Sequence, residues 1–305
     1  MESVAKSNSL SIVVCTYNRT NLLCKVVKKI LELTAEEERI ELIVIDNNST
    51  DSTKADLMNI AEAEKIKYFL ETQQGLSYSR NRGIAEASGE WIFFLDDDGW
   101  PADDLFERLL AYVDSDRYSV IGGQYTAWYF YGKKKWSKDH YYSNFPQIKR
   151  PKVMTGNEKL SGGILMIKKE LFEKAGLFDS ELGMKGNQLG YGEETEMQER
   201  LQKLGYDLYF DPKLKMKHVV AEKKLNVDYF FESKKALAKS FYHYEFKDKK
   251  IYFLLAPFIA LGLSVKDGVL NLFRLFKRDY FWENYIIDTF TKPYKWLQIF
   301  KSYIA

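Results

Sequence analysis

The sequence predicts an α/β fold: a mainly parallel sheet with helices on both faces, followed by a helical C-terminal extension. Three observations lead there. Short apolar runs at residues 11–15, 41–45 and 91–95 are each closed by a polar turn, the pattern of strands buried on both faces of a parallel sheet. Between the runs, apolar residues recur at helical spacing, so strand and helix alternate. Beyond residue 228 the apolar runs give way to aromatic, basic helical stretches.

The first strand, Ser11-Ile12-Val13-Val14-Cys15, ends in Thr16-Tyr17-Asn18-Arg19. A helix is expected over residues 21–33, where Leu22, Leu23, Val26, Val27, Ile30 and Leu31 form one apolar stripe. Residues 41–45 form a second strand, closed by Asp46-Asn47-Asn48-Ser49-Thr50-Asp51. Residues 66–70 form a third, after which Gln74-Gly75-Leu76-Ser77 turns into a helix bearing Arg80, Asn81 and Arg82. The fourth is Trp91-Ile92-Phe93-Phe94-Leu95, which runs directly into Asp96-Asp97-Asp98-Gly99. Right-handed crossovers then give a nucleotide-binding type of half-domain over about residues 1–115. No turn carries a Gly-x-Gly-x-x-Gly or a Walker lysine pattern, which excludes an ordinary dinucleotide or P-loop site.

A helix over 102–113 precedes a long strand at 119–129 and a ring-rich section through Arg150, read either as an acceptor-binding flap or as a second small core. Ser161-Gly162-Gly163 leads into a strand at 164–167 and a helix at 169–175. Gly190-Tyr191-Gly192 opens a helix that begins Glu193-Glu194-Thr195-Glu196. Acids in a first turn complement the helix dipole, while the glycines let a ligand approach the helix mouth. Short strands at 207–210 and 213–220 follow, the second holding His218. Helices are expected at 229–244, 251–276 and 282–303. This divides the chain into residues 1–227, with a second half at 116–227, and an extension at 228–305.

Composition narrows the function classes. With 305 residues, 46% hydrophobic and 29% charged, the chain can bury a large core, and its 15% aromatic content is high. The net charge of +2 conceals an asymmetry, since from Lys213 onward 18 Lys and Arg face 9 Asp and Glu. Local basic charge on a tail suits an anionic surface and gives no reason to invoke nucleic acid. Two cysteines, Cys15 and Cys24, form neither a disulfide framework nor a zinc pattern. No long apolar run follows a basic N-terminus, so a cytoplasmic location is expected. Residues 251–265 are apolar but contain Pro257, which suits lying in a membrane interface better than crossing it.

The chemistry concentrates at Asp96-Asp97-Asp98. Ligands of open α/β sheets sit beyond the carboxyl ends of the strands, where this cluster falls. A helix cap uses one Asp, whereas three in a row repel each other and raise each other's pKa. A divalent cation held through oxygen ligands resolves that repulsion.

Five motifs, in order and at these spacings, resemble family 2 glycosyltransferases of the GT-A fold from about residue 9 to 220. They are Val14-Cys15-Thr16-Tyr17-Asn18-Arg19; Val44-Ile45-Asp46-Asn47-Asn48-Ser49-Thr50-Asp51; Gly75-Leu76-Ser77 through Arg80-Asn81 to Gly83; Asp96-Asp97-Asp98; and Gly192-Glu193-Glu194 leading to Arg200-Leu201. The resemblance implies an inverting, metal-dependent transfer from a nucleoside diphosphate sugar, with uridine as the expected nucleoside. It assigns donor binding to Thr16, Tyr17, Arg19, Asp46, Arg80, Asp96 and Asp97. It assigns Mn²⁺ or Mg²⁺ to Asp98 and Asp96, with His218 as a further metal residue. The base falls on the Glu193-Glu194 pair, with Glu194 standing where the family has Asp and Glu193 as the alternative.

The implied acceptor is a glycan or a polyprenyl-diphosphate-linked glycan in bacterial surface polysaccharide assembly. Residues 228–305 would then rest on the inner leaflet, although the same helices could instead simply pack on the catalytic domain or make a homodimer. A Gln-x-x-Arg-Trp motif and several membrane spans, marks of processive synthases in the family, are missing, which favours single-sugar addition. Two other readings compete: a non-catalytic nucleotide-sugar-binding subunit, and a haloacid-dehalogenase-like phosphatase built on Asp96-Asp97-Asp98-Gly99. Trp100 and the fourth-strand position argue against the phosphatase.

Overall fold

The computed structural model describes residues 9–241, 243 and 250–304. Its strands are β1 Leu10–Thr16, β2 Ile40–Asp46, β3 Ile66–Leu70, β4 Trp91–Leu95, β5 Gly99–Pro101, β6 Val120–Trp128, β7 Lys152–Val153, β8 Ile164–Lys168 and β9 Tyr209–Val219. The helices are α1 Thr20–Leu33, α2 Thr53–Met58, α3 Leu76–Glu86, α4 Leu105–Ser115, α5 Glu170–Ala175, α6 Glu193–Lys203, α7 Val227–Phe241, α8 Lys250–Leu272 and α9 Trp282–Ile304. The expected end of the seventh helix at Tyr244 lies outside the described residues.

The strands form one sheet in the order β3-β2-β1-β4-β8-β6-β9-β5, with β7 on β9. The first four strands are parallel, while β8 runs antiparallel to both β4 and β6. Side chains alternate across the sheet. Ile12, Val14, Leu42, Val44, Trp91 and Phe93 face one core with α1 and α4. Val13, Ile43, Ile45, Ile92 and Phe94 face the other with Leu171 and Phe172 of α5 and Met197 and Leu201 of α6. Two covered faces leave no polar alternation, so these strands read as unbroken apolar runs.

Beyond the unexpected α2 and β7, two departures from the expected elements bear on the site. The strands anticipated at 207–210 and 213–220 are a single β9. Its ladder with β6 jumps from Gly122↔Phe210 to Gln124↔Lys215, and the irregularity absorbs Pro212, which has no N–H to donate. The helix anticipated from residue 102 begins at Leu105, because Gly99–Pro101 first forms β5 against β9, pairing Gly99 with His218.

The described chain falls into two compact units. One comprises residues up to 128, 142–186 and 193–219, and contains the whole sheet. The other comprises 129–141, 187–192 and 220 onward. Within this second unit the rings of Trp136 and Tyr141 meet Phe230 of α7 edge-on, and Asn284 of α9 donates to the Trp136 carbonyl at 2.7 Å. Part of the ring-rich section therefore packs as core. Among the described residues one helical stretch, Leu255–Phe276, is long and apolar enough to cross a membrane.

Candidate active site

Parallel register brings the first two motifs together, because Thr16 at the end of β1 pairs with Asp46 at the end of β2. Asp46 is buried and accepts from the Ser49 amide at 2.9 Å and from the Tyr68 hydroxyl at 2.8 Å. Burial and this carboxylate push the Tyr68 hydroxyl pKa up. Asn18, in the left-handed region at φ 51°, accepts from the Thr50 amide at 2.7 Å and ties the two loops together. Asn47 extends the scaffold by accepting from the Gly75 amide at 2.7 Å, at the start of α3.

The three aspartates have different environments. Asp97 turns inward, accepting from Thr16 Oγ1 at 2.8 Å and from Arg19 Nη1 at 2.8 Å. Burial raises its pKa to about 6, against the opposing pull of Arg19. Arg19 Nη1 also reaches Asp98 at 3.0 Å, so one guanidinium nitrogen holds two buried carboxylates. Asp96 is the most open of the three, with 34% of its side chain exposed against 6% for Asp97 and 4% for Asp98.

His218 completes the cluster. The β5–β9 pairing sets it beside Asp98, and its Nε2 lies 3.1 Å from Asp98 Oδ1 and 3.7 Å from Asp96 Oδ2. One ligand atom from each of Asp96, Asp98 and His218 falls within 4.8 Å of the others, close enough to share one cation. Gly163 makes room, since a Cβ there would collide with the Asp96 carboxylate. Two carboxylates and an imidazole suit Mn²⁺, and the set also serves Mg²⁺ completed by water.

Arg80 connects this cluster to α6. It is 4% exposed and lies over Phe94 and Phe178, 5.7 and 5.5 Å from their ring centres. Its Nη1 donates to Glu193 Oε1 at 2.7 Å and its Nη2 is 4.0 Å from Asp96 Oδ1. A Cβ at Gly162 would press on Nη2 at 2.8 Å. Gln198 fixes the helix itself, accepting from the Leu160 amide at 2.7 Å and donating to the Leu160 carbonyl at 3.0 Å.

The two glutamates therefore differ. Glu193 is 4% exposed and held by Arg80, and its Oε2 has no hydrogen-bond partner among the described residues. Glu194 is half-buried. Burial first, and the neighbouring Glu193 charge second, raise its pKa to about 8, with Arg80 pulling the other way. A carboxyl tuned to that range can exchange a proton near neutral pH. Cys15 contributes no reactive thiolate, because burial pushes its pKa to about 12.

Residues 11–176 match the sequence profile of glycosyl transferase family 2. The chain belongs to that family. A 105-residue stretch is 42% identical to a GalNAc(5)-diNAcBac-PP-undecaprenol β-1,3-glucosyltransferase of Campylobacter jejuni, covering 33% of this chain and 32% of that protein. The match thus spans about a third of that relative. Glycosyltransferase AglE of Haloferax volcanii is 24% identical over 203 residues, 66% of this chain and 64% of its own. Among solved structures, a mannosyltransferase of Pyrobaculum calidifontis in complex with GDP-Man and Mn²⁺ superposes with a TM-score of 0.56. At 19% identity, over 76% of this chain and 62% of that one, it shows the shared GT-A fold.

Several participants had no signal that sequence reasoning used. Gly162 and Gly163 stood out only as a pair before a strand, and nothing in their neighbours announced the approach of Arg80 and Asp96. Tyr68 lay in an ordinary strand. The β5 pairing that brings His218 to Asp98 joins residues far apart in the chain.

Proposed function

We propose that the enzyme transfers one sugar, with inversion, from a nucleoside diphosphate donor to a hydroxyl of a glycan or a polyprenyl-diphosphate-linked glycan. One observation carries this reading. The Arg80 guanidinium touches Glu193 on one side and lies 4.0 Å from Asp96 on the other, so the cation-ligand cluster and the glutamate pair stand one guanidinium apart. That spacing suits a reaction whose leaving group and attacking hydroxyl both need help.

Asp46 and Thr16 take the nucleobase, with Asp46 accepting an N–H of the base, the N3–H of uracil in our reading. Tyr17 and Arg19 close the loop beside it, and Asp97 keeps Arg19 and Thr16 oriented. Asp96, Asp98 and His218 hold Mn²⁺ or Mg²⁺. Bound there, the cation supplies positive charge to the diphosphate leaving group. Glu194 accepts the proton of the acceptor hydroxyl, and its raised pKa matches that task. Glu193, locked to Arg80, fixes the helix turn from which Glu194 projects and is not itself the base.

The acceptor class draws support from the Campylobacter relative, named for an undecaprenol-linked glycan, and the metal from the Pyrobaculum neighbour with Mn²⁺. Both are consistent with a step in bacterial surface polysaccharide assembly at the inner face of the cell membrane. In this division residues 1–227 carry the chemistry and 228–305 serve location.

The test is nucleoside diphosphate release from a panel of UDP, GDP and dTDP sugars with a polyprenyl-diphosphate-linked acceptor, run with Mn²⁺, with EDTA and with Glu194→Gln. Metal-dependent release from one donor, lost in Glu194→Gln with donor affinity retained, is expected. Release that ignores EDTA and survives Glu194→Gln overturns the mechanism.

A further inference from the structure

The C-terminal unit carries a surface that the transfer reaction does not use. On α8, Phe258, Leu261, Val265, Val269 and Leu272 are exposed to 71, 64, 60, 55 and 50%. At 3.6 residues per turn these five positions fall within an arc of about 80°. The opposite side of the helix is the packed one. Ala256 and Ala260 are buried there, and Asn271 donates to Thr289 of α9 at 3.2 Å. The apolar line continues past the helix through Phe273 and Phe276, exposed to 68 and 88%, and then Trp282 at 60%. An apolar line of this length left in water marks an interaction surface.

We infer that this face docks on an anionic lipid bilayer, lying in the interface with Phe258, Leu261, Val265, Val269 and Leu272 directed into the acyl boundary. Charge selects the occupant. Between Leu255 and Trp282 the cations are Lys266, Arg274, Lys277 and Arg278, while the carboxylates are Asp267, on the α9 side of the helix, and Asp279, which Lys138 engages at 3.0 Å. Lys266, Lys277 and Arg278 are exposed, which places cations beside and at the end of the apolar line. Anionic headgroups satisfy such a border. A second copy of the same face offers in return only Asp279, already engaged by Lys138, so a two-fold contact would set cations chiefly against an apolar line and more cations.

The neighbouring helix excludes crossing. α9 lies against α8 and carries Asp288, Lys292 and Lys295. Arg274 pairs with Asp288 at 3.1 Å, and a transverse α8 would draw these charges towards hydrocarbon. Trp282, stacked on Tyr285 with ring centres 5.0 Å apart, is the kind of side chain that settles at headgroup depth.

This inference deepens the lipid-linked reading of the acceptor but rests on the α8 face alone, and its test contains neither donor nor acceptor. The full chain is co-sedimented with vesicles of phosphatidylcholine alone and of phosphatidylcholine with phosphatidylglycerol, at low and high salt. Binding to the anionic vesicles is expected, weakened by salt. Phe258→Glu and Val265→Glu should each lower the partition coefficient about tenfold or more. Lys277→Glu with Arg278→Glu should lower it on anionic vesicles only. Leu204→Glu, at an exposed leucine of the sheet unit, should leave it unchanged. Absence of wild-type binding to the anionic vesicles, or binding indifferent to Phe258→Glu, Val265→Glu and the double charge reversal, overturns the proposal. So does a concentration-dependent dimer that Phe258→Glu dissolves, which would make the face a self-interface. Loss of vesicle binding with transfer intact on a soluble acceptor, or the reverse, separates this inference from the proposed reaction.

Discussion

Glu194 concentrates the electrostatic tension of the site. Its carboxyl is raised from an ordinary 4.5 to about 8, so between those values the folded chain keeps a proton that the unfolded chain has released. On this account stability falls as pH rises through that window and levels off above it. Glu194→Gln removes the penalty. Its melting temperature should equal that of the wild type near pH 4 and exceed it by a few degrees at pH 8, measured by paired thermal melts across pH. Catalysis moves the other way. The wild-type kcat/KM should climb with pH towards a plateau above about 8 as Glu194 deprotonates, and Glu194→Gln should lose about 10²–10⁴ of the rate. Glu193→Gln separates the two glutamates. With the like charge gone, the rising limb should shift to lower pH while a measurable rate survives; a Glu193→Gln loss as deep as that of Glu194→Gln, with no shift, would reverse their roles.

At the scale of elements, the site depends on where strands end and on what can approach those ends. The four parallel strands were legible because a strand covered on both faces needs an uninterrupted apolar run, and Ile92, Phe93 and Phe94 supply one between two helical segments. β5 and β7 were not legible, because three and two residues carry no periodicity and their pairing is decided by β9. The two strands expected at 207–210 and 213–220 leave out Asp211 and Pro212, and the sheet instead runs through both as one β9 with an irregularity in its ladder. Asp96 to Asp98 could be found from their own repulsion, but their unequal burial could not, since Thr16, Arg19 and Gly163 impose it from other elements. Gly163 gives the test at this scale. Gly163→Ala should displace the Asp96 carboxylate and weaken Mn²⁺ binding about 10–100-fold, read by calorimetric titration of the metal, with the circular dichroism spectrum unchanged. Unaltered Mn²⁺ affinity would remove Asp96 from the ligand set.

For the whole molecule, the consequence of the two units is that each must hold itself together by its own contacts. The sheet unit does so with two apolar layers, which is why sequence periodicity found most of it. The helical unit relies on a polar centre that periodicity cannot reveal. Asp288 of α9 accepts from the Tyr141 hydroxyl at 2.9 Å, the Tyr280 hydroxyl at 3.0 Å and Arg274 Nη1 at 3.1 Å. Tyr141 reaches it from the ring-rich stretch that the sequence left between a flap and a core, and a carboxylate on a helix otherwise reads as a solvated position. Burial and this carboxylate raise the pKa values of both Tyr141 and Tyr280, so their hydroxyls stay protonated donors. Asp288→Ala would strand the Tyr141 and Tyr280 hydroxyls, at about 1–3 kcal/mol for each that finds no water, while Arg274 keeps Asn271 as an acceptor. Because the cores are separate, thermal unfolding should show two transitions rather than one. Asp288→Ala should lower only the transition of the helical unit, by several degrees, while Mn²⁺ should raise only that of the sheet unit, where Asp96, Asp98 and His218 reside. A single transition moved equally by the substitution and by the metal would mean that the two cores unfold as one cooperative body.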